Sequence, residues 1–345
     1  MGKIDLKILE KAWTTINRSK KIVIISHYNP DGDAVGSSLG LYNYLVKKGF
    51  DDIHVISPND FPGSLKWMKG IEDTVIYSYN EEKAKELLKE ADLIICLDFN
   101  DTRRTKKAMI PLAESGAKKI LIDHHPYPMD FADIVISNVN VSSTAELVFH
   151  FIKENGGVDF VDKSIAECLY TGILTDTGCF TYGMIDEKTF STLAYLVTKG
   201  VDKDKIYSSV YDNFSTHRMR LMGYSLYKKL EVLPEYRTAF ISLTKQELKE
   251  FQFMPGDTEG FVNLPFSIGG IQFAVLFIEH NGYVKISFRS KGNFSVSDFA
   301  RDHFNGGGHK NAAGGEAYMP MNEVLEKFKK LLPTYSNVFK NKFFG

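Results

Sequence analysis

Lys21-Ile22-Val23-Ile24-Ile25-Ser26-His27-Tyr28-Asn29-Pro30-Asp31-Gly32-Asp33 passes from an apolar run, after a single serine, to an imidazole and two carboxylates within seven residues. The apolar run shows no alternation, so it predicts a strand buried on both faces. A helical pattern follows from Gly36 to Lys47. The same grammar repeats downstream. Ile53 to Ile56 is a second strand candidate, Glu81 to Glu90 a helix, and Asp92 to Leu97 a strand ending on Asp98. Lys119 to Ile122 is a strand ending on Asp123, and Ile134 to Ile136 a further short one. Continuous apolar strands separated by helices predict an α/β domain with a mostly parallel sheet and helices on both faces. In such sheets ligands bind beyond the carboxyl ends of the strands. That rule singles out His27, Asp98 and Asp123, because each follows a strand.

From Ser143 to about Val210 the pattern is helical, and Ser215 to Leu230 reads as a helical connector. Beyond it the grammar changes to strands at Thr238 to Ser242, Ile271 to Ile278 and Tyr283 to Phe288. The last two flank Glu279-His280-Asn281-Gly282, whose Asn-Gly pair is a hairpin signal. We therefore expect a catalytic α/β domain over 1–200, a helical connector over 201–233 and a smaller α+β domain over 234–345, with a loosely held tail from 336.

The chain has 345 residues, enough for two domains, with 43% hydrophobic and 25% charged residues. Its net charge of -1 argues against a protein that tracks along duplex nucleic acid, which needs a basic surplus. Small phosphorylated substrates need only a local cluster of positive charge. The three cysteines, Cys96, Cys168 and Cys179, are odd in number and widely spaced, so no disulfide framework is expected. The start is amphipathic, not an apolar signal core, and no segment is apolar for long enough to span a membrane. These features predict a cytoplasmic protein.

Pro30 and Gly32 turn the chain so that Asp31 and Asp33 are aimed at neighbouring points. Two carboxylates so close repel unless a cation sits between them. Alone, the stretch also reads as an ordinary Asx-rich turn, and a lone Asp at a strand end as a helix cap. The group is more informative. Asp98 ends one strand, Asp123-His124-His125 ends the next, and Asp176 closes the apolar segment Gly172-Ile173-Leu174-Thr175. Four strand-end or loop carboxylates and two imidazoles, besides Asp123 and His125, match the ligand set of two metal ions ~3.5–4 Å apart. Mixed imidazole and carboxylate ligation suits Mn²⁺, Fe²⁺, Co²⁺ or Zn²⁺. Ser142-Ser143-Thr144 with Glu146 reads first as a helix cap and second as a phosphate contact.

These motifs, His27-Tyr28-Asn29-Pro30-Asp31-Gly32-Asp33-Ala34-Val35-Gly36-Ser37, Asp98, Asp123-His124-His125 and Asp176, resemble in order those of the DHH phosphoesterase superfamily. Gly306-Gly307-Gly308-His309-Lys310-Asn311-Ala312-Ala313-Gly314 resembles the signature of the DHH-associated C-terminal domain. In size the chain is most similar to the nano-RNase / pAp phosphatase proteins, the bifunctional oligoribonucleases. The resemblance implies that His27, Asp31 and Asp98 hold one metal and that Asp33, Asp98, His124 and Asp176 hold the other. Asp98 would bridge, Asp123 would support His125, and His125 would contact the substrate phosphate. Arg289, His309 and the Gly306, Gly307, Gly308 run would bind substrate. Those glycines also read as a flexible loop, or as backbone N–H groups that approach a phosphate.

The resemblance implies a two-metal enzyme, expected with Mn²⁺, that cuts short oligoribonucleotides to mononucleotides and pAp to AMP. A cyclic or linear dinucleotide phosphodiesterase and a polyphosphatase are the enzyme alternatives. A nucleotide-binding regulator without turnover is the alternative of another class. The metal ligands all precede the connector and Arg289 and His309 follow it, which predicts chemistry in the first domain and substrate grip in the second. A homodimer is the default assembly.

Overall fold

The computed structural model describes residues 5–181 and 183–335, so the tail expected from Ser336 lies outside the described residues. The chain divides into two compact units between Asn213 and Phe214.

The first unit runs α1 (Leu6–Arg18), β1 (Lys21–Ile25), α2 (Gly32–Lys47), β2 (Asp52–Ser57), β3 (Val75–Ile76), α3 (Glu81–Glu90), β4 (Leu93–Leu97), α4 (Met109–Glu114), β5 (Lys118–Asp123), β6 (Ile134–Ser137), α5 (Thr144–Glu154), α6 (Lys163–Asp176), α7 (Glu187–Thr198) and α8 (Lys203–Tyr211). Its strands form one six-stranded sheet in the order β3-β2-β1-β4-β5-β6, every pair parallel. The apolar strands lack alternation because both faces are covered. Ile22 and Ile24 of β1 pack into a core with α1, α2, α5 and α6, whereas Val23 and Ile25 face a second core with α3 and α4.

Two local features differ from expectation. Helix α2 starts at Gly32, not Gly36, because the Asp31 carboxylate caps it by accepting the N–H groups of Asp33 (3.1 Å) and Ala34 (3.0 Å). Asp33 therefore sits in a first helical turn. Asp176 is neither at a strand end nor in a loop but is the last residue of α6. Helices α2 and α6 approach backbone to backbone. A Cβ on Gly36 would stand 2.5 Å from the Cys168 carbonyl oxygen, and one on Gly172 would stand 2.4 Å from the Ala145 Cβ and 2.9 Å from Asp33 Oδ1. This close packing brings Asp33 and Asp176 to one place.

The second unit contains α9 (Thr216–Tyr224), β7 (Leu230–Leu233), β8 (Thr238–Leu243), α10 (Lys245–Glu250), β9 (Phe273–Glu279), β10 (Val284–Ser290), α11 (Val296–His303), β11 (Gly307–His309), β12 (Ala312–Ala317) and α12 (Met321–Leu331). Its sheet has the order β11-β12-β10-β9-β8-β7 and is antiparallel except between β8 and β9. The Asn281-Gly282 turn joins β9 to β10, with Gly282 at φ 85°. One sheet face carries a phenylalanine-rich core with α11 and α12. The other packs Ile241, Leu243, Leu276 and Ile278 against Leu221 of α9 and Leu248 of α10. Among the described residues, no helix is long and apolar enough to cross a membrane.

Cys96 and Cys168 are buried, and burial pushes both thiols up to about 12, whereas Cys179 is exposed. We expect Ellman's reagent at about pH 8 to titrate one thiol in the native chain and three after denaturation. Two or more fast-reacting thiols in the native protein would contradict this packing.

Candidate metal centre

Parallel pairing sets Ile25 beside Cys96 and Cys96 beside Leu121. Two residues further along, His27, Asp98 and Asp123 therefore emerge at one level on three neighbouring strands, about 4.8 Å apart per strand. Asp98 takes this position with a left-handed backbone, φ 65°, which Asp adopts more readily than most residues. Asp33 arrives from α2, and the N-terminus of α5 holds its carboxylate. Thr144 N–H donates to Oδ2 at 2.7 Å and Ala145 N–H donates to Oδ1 at 2.8 Å. The Ser143 cap on Glu146 N–H is present, at 3.0 Å. The amides of Thr144 and Ala145, however, are occupied by Asp33, so this helix end is not a phosphate contact.

The side chains form two groups that share Asp98. His27 Nδ1 lies 2.9 Å from the Tyr28 carbonyl oxygen, which can only accept, so Nδ1 carries the proton. Nε2 then faces Asp98 Oδ2 at 3.3 Å and Asp31 Oδ2 at 3.9 Å. It is buried without a well-directed hydrogen bond. In the second group, His124 Nε2 lies 3.4 Å from Asp176 Oδ2, 3.8 Å from Asp98 Oδ1 and 4.0 Å from Asp33 Oδ2. The two oxygens of Asp98 thus face different groups, and Thr144 Oγ1 donates to Oδ1 at 2.9 Å. The candidate donor atoms of His27, Asp31 and Asp98, and those of Asp33, His124 and Asp176, lie within 4.8 Å of one another in each set.

The electrostatics call for positive charge. Burial raises the Asp33 carboxyl well above the usual carboxylate range, and Asp98, Asp176 and Asp31 push it further. Burial lowers the His27 imidazole, but the adjacent Asp98 and Asp31 carboxylates outweigh that and leave it raised. For His124, burial is likewise outweighed by Asp176 and then Asp98. Burial would raise Asp98, yet His27, His125 and His124 hold it far below the usual range. An orphaned imidazole nitrogen amid mutually repelling carboxylates fits divalent cations, and this donor set suits Mn²⁺, Fe²⁺, Co²⁺ or Zn²⁺.

Asp123 is fully buried and lies 2.7 Å from His125 Nδ1 through Oδ1. His125 Nε2 is 3.1 Å from a guanidinium nitrogen of Arg104, which also donates to the Asp98 carbonyl at 3.3 Å. A guanidinium only donates, so His125 accepts there and donates Nδ1–H to Asp123. Sequence reasoning missed Arg104, and read Thr144 as part of a cap or a phosphate contact but not as a partner of Asp33 and Asp98. Arg104 sits in Arg103-Arg104-Thr105-Lys106-Lys107, where composition does not separate it from a solvated basic run.

The remaining expected residues lie in the second unit. Arg289 is on β10 and donates to the Phe288 carbonyl at 3.0 Å. Gly307, Gly308 and His309 form β11, not a flexible loop. A Cβ on Gly306 would meet the Gly314 carbonyl oxygen at 2.0 Å, and one on Gly308 (φ 147°) the Ala312 carbonyl oxygen at 2.6 Å. Close strand packing accounts for those two glycines, and only Gly307 has open space around it.

A family model described as "DHH family, N-terminal domain" matches residues 21–173, and one described as "DHHA1 domain" matches residues 240–340. The bifunctional oligoribonuclease and PAP phosphatase NrnA of Thermus thermophilus is 30% identical over 294 residues, 85% of this chain and 83% of that protein. The protein of the same name from Bacillus subtilis is 27% identical over 307 residues, 88% of this chain and 91% of that one. The crystal structure of an exopolyphosphatase-related protein from Bacteroides fragilis is similar at TM-score 0.94 and 44% identity, covering 99% of this chain and 100% of that one. RecJ from Thermus thermophilus in complex with Mn²⁺ shares the fold at TM-score 0.54 and 15% identity, over 97% of this chain and 55% of that one.

Proposed function

Because this chain belongs to the DHH family of phosphoesterases and carries a DHHA1 domain, we propose that it hydrolyses short oligoribonucleotides to mononucleotides and pAp to AMP, with Mn²⁺ as the working metal. The preferred length is about two to five nucleotides, since a near-neutral chain lacks the many phosphate contacts that long RNA would require. The observation that carries the reading is the donor set shared through Asp98. Relatives of matching length named as bifunctional oligoribonucleases and PAP phosphatases support the substrate class.

In this reading His27, Asp31 and Asp98 hold one ion, and Asp33, Asp98, His124 and Asp176 hold the other. When bound, the ions supply a hydroxide nucleophile at neutral pH and a charge clamp on the phosphoryl oxygens. The Tyr28 carbonyl fixes the His27 tautomer that leaves Nε2 available as a ligand, and α5 fixes the rotamer of Asp33. Asp123 orients His125, and Arg104 adds positive charge beside it, so Arg104 can donate to a phosphate oxygen directly and His125 can do so once a proton on Nε2 replaces the bond it accepts from Arg104. Arg289, His309 and Gly307 hold the rest of the nucleotide. Arg289→Ala should lower kcat/KM for pAp and pApA by roughly 10- to 150-fold, the effect of losing a charge-assisted grip. Hydrolysis of bis(p-nitrophenyl) phosphate, which lacks the distal groups, should stay nearly intact, and equal loss of both activities would move Arg289 into the chemical step.

The 44% identical exopolyphosphatase-related protein favours polyphosphate as a second reading. A panel of pAp, pApA, a long RNA, cyclic di-AMP and polyphosphate, assayed with Mn²⁺, separates the two. The proposal requires AMP from pAp and pApA to appear fastest. Orthophosphate released faster from polyphosphate would favour the second reading.

A further inference from the structure

We propose that Tyr127 is a stacking platform for the nucleobase of the substrate, a role that rests on the nucleotide reading above. Tyr127 stands two residues after His125, on the segment leaving the carboxyl end of β5. The residue is 85% exposed, so packing does not hold it there. Its backbone is left-handed, φ 58°, a conformation unusual for a bulky residue. The segment is nevertheless braced on both sides of the ring by Asn100, two residues after Asp98. Asn100 Nδ2–H donates to the Pro126 carbonyl at 2.7 Å, and the Asn100 carbonyl accepts the Met129 N–H at 2.8 Å. A lone exposed aromatic needs no explanation. A left-handed backbone that holds out an exposed ring, and that is braced on two sides by the segment carrying Asp98, does, since strain of this kind gathers at ligand clamps. Tyr28 beside His27 and Met129 are also exposed, so the apolar surface at this end of the sheet is more than one side chain. A planar base offers such a ring a π-face of any sequence, which suits an enzyme that degrades RNA without reading it.

The test is equilibrium binding of AMP and of ribose 5-phosphate to the full Mn²⁺-loaded chain by calorimetry. Tyr127→Gly removes the ring and relieves the left-handed backbone, so it should fold with an unchanged melting temperature. Base stacking predicts that this variant loses AMP affinity by about 5- to 150-fold while ribose 5-phosphate binding stays within about twofold. Tyr127→Phe and Tyr127→Trp should retain AMP binding. The idea is overturned by a folded Tyr127→Gly that binds AMP like wild type, by equal loss of both ligands, or by a wild type that holds AMP no more tightly than ribose 5-phosphate. Failure of the substrate reading looks different: pAp and pApA would go unhydrolysed while the preference for AMP over ribose 5-phosphate, and its dependence on Tyr127, remained.

Discussion

Asp98→Asn is expected to lower turnover of pApA by about a thousandfold or more at saturating Mn²⁺, the equivalent of at least ~4 kcal/mol of transition-state stabilisation. The substitution preserves shape and removes charge. Its effect is large because Asp98 serves both side-chain groups, Oδ2 facing His27 at 3.3 Å and Oδ1 facing His124 at 3.8 Å. A ligand confined to one ion would weaken one site, whereas loss of a bridge weakens nucleophile activation and the phosphate clamp together. The fold should survive, since an amide oxygen at the Oδ1 position can still accept from Thr144 Oγ1. Circular dichroism and a melting curve establish folding, and product release from pApA reads the activity. A folded variant within about tenfold of wild type would show that Asp98 does not serve both ions.

The second large effect is on stability. Chelated protein should melt at lower temperature as pH rises from about 6 to 8, and Mn²⁺ should abolish that fall. His27 and His124 have pKa values raised above 6.5, so the stability they lend is complete below that pH and is lost as pH climbs through their folded values. Asp33, also raised, acts in the same direction, because its ionisation is more costly in the folded chain. Asp98 is depressed and works oppositely, but its contribution disappears only as pH falls below the ordinary value of 3.8, outside this window. Protons on these histidines therefore compete with the metal, and the shift produced by Mn²⁺ should be larger at pH 8 than at pH 6. Two sites each at a hundred times Kd contribute about 5 kcal/mol, or roughly 10–20 °C in Tm for a unit of this size. Scanning fluorimetry with EDTA or Mn²⁺ at the two pH values checks it. A chelated protein equally stable at both pH values would show that these histidines are not poised as described.

Sequence alone carried the sheet and placed half of the candidate site because one physical rule wrote both. Strands buried on two faces are continuously apolar, so the polar residues that follow each run, Ser26-His27, Asp98 and Asp123, stand out. Parallel pairing then sets those three level, a consequence of register that no single segment displays. Asp176 was found as a residue but not in its setting, since the end of α6 reaches the site only through the glycine-mediated approach of α2 and α6. Thr144 and Arg104 were hidden for a similar reason. A threonine after a helix cap and an arginine in a basic run gain their partners, Asp33, Asp98 and His125, from tertiary contact. The glycines at 306 and 308 are pressed against strand carbonyls, which composition cannot distinguish from a loose loop. The two-residue strand β3 is too short for any periodicity to show.

The most direct test of a shared two-ion centre is to measure bound Mn²⁺ and AMP release from pApA on the same sample, titrated from the chelated state. A shared centre requires no AMP without metal, two ions bound per chain, and activity that rises with occupancy of the second. AMP released equally fast by chelated protein, or full activity with a single ion, would contradict it.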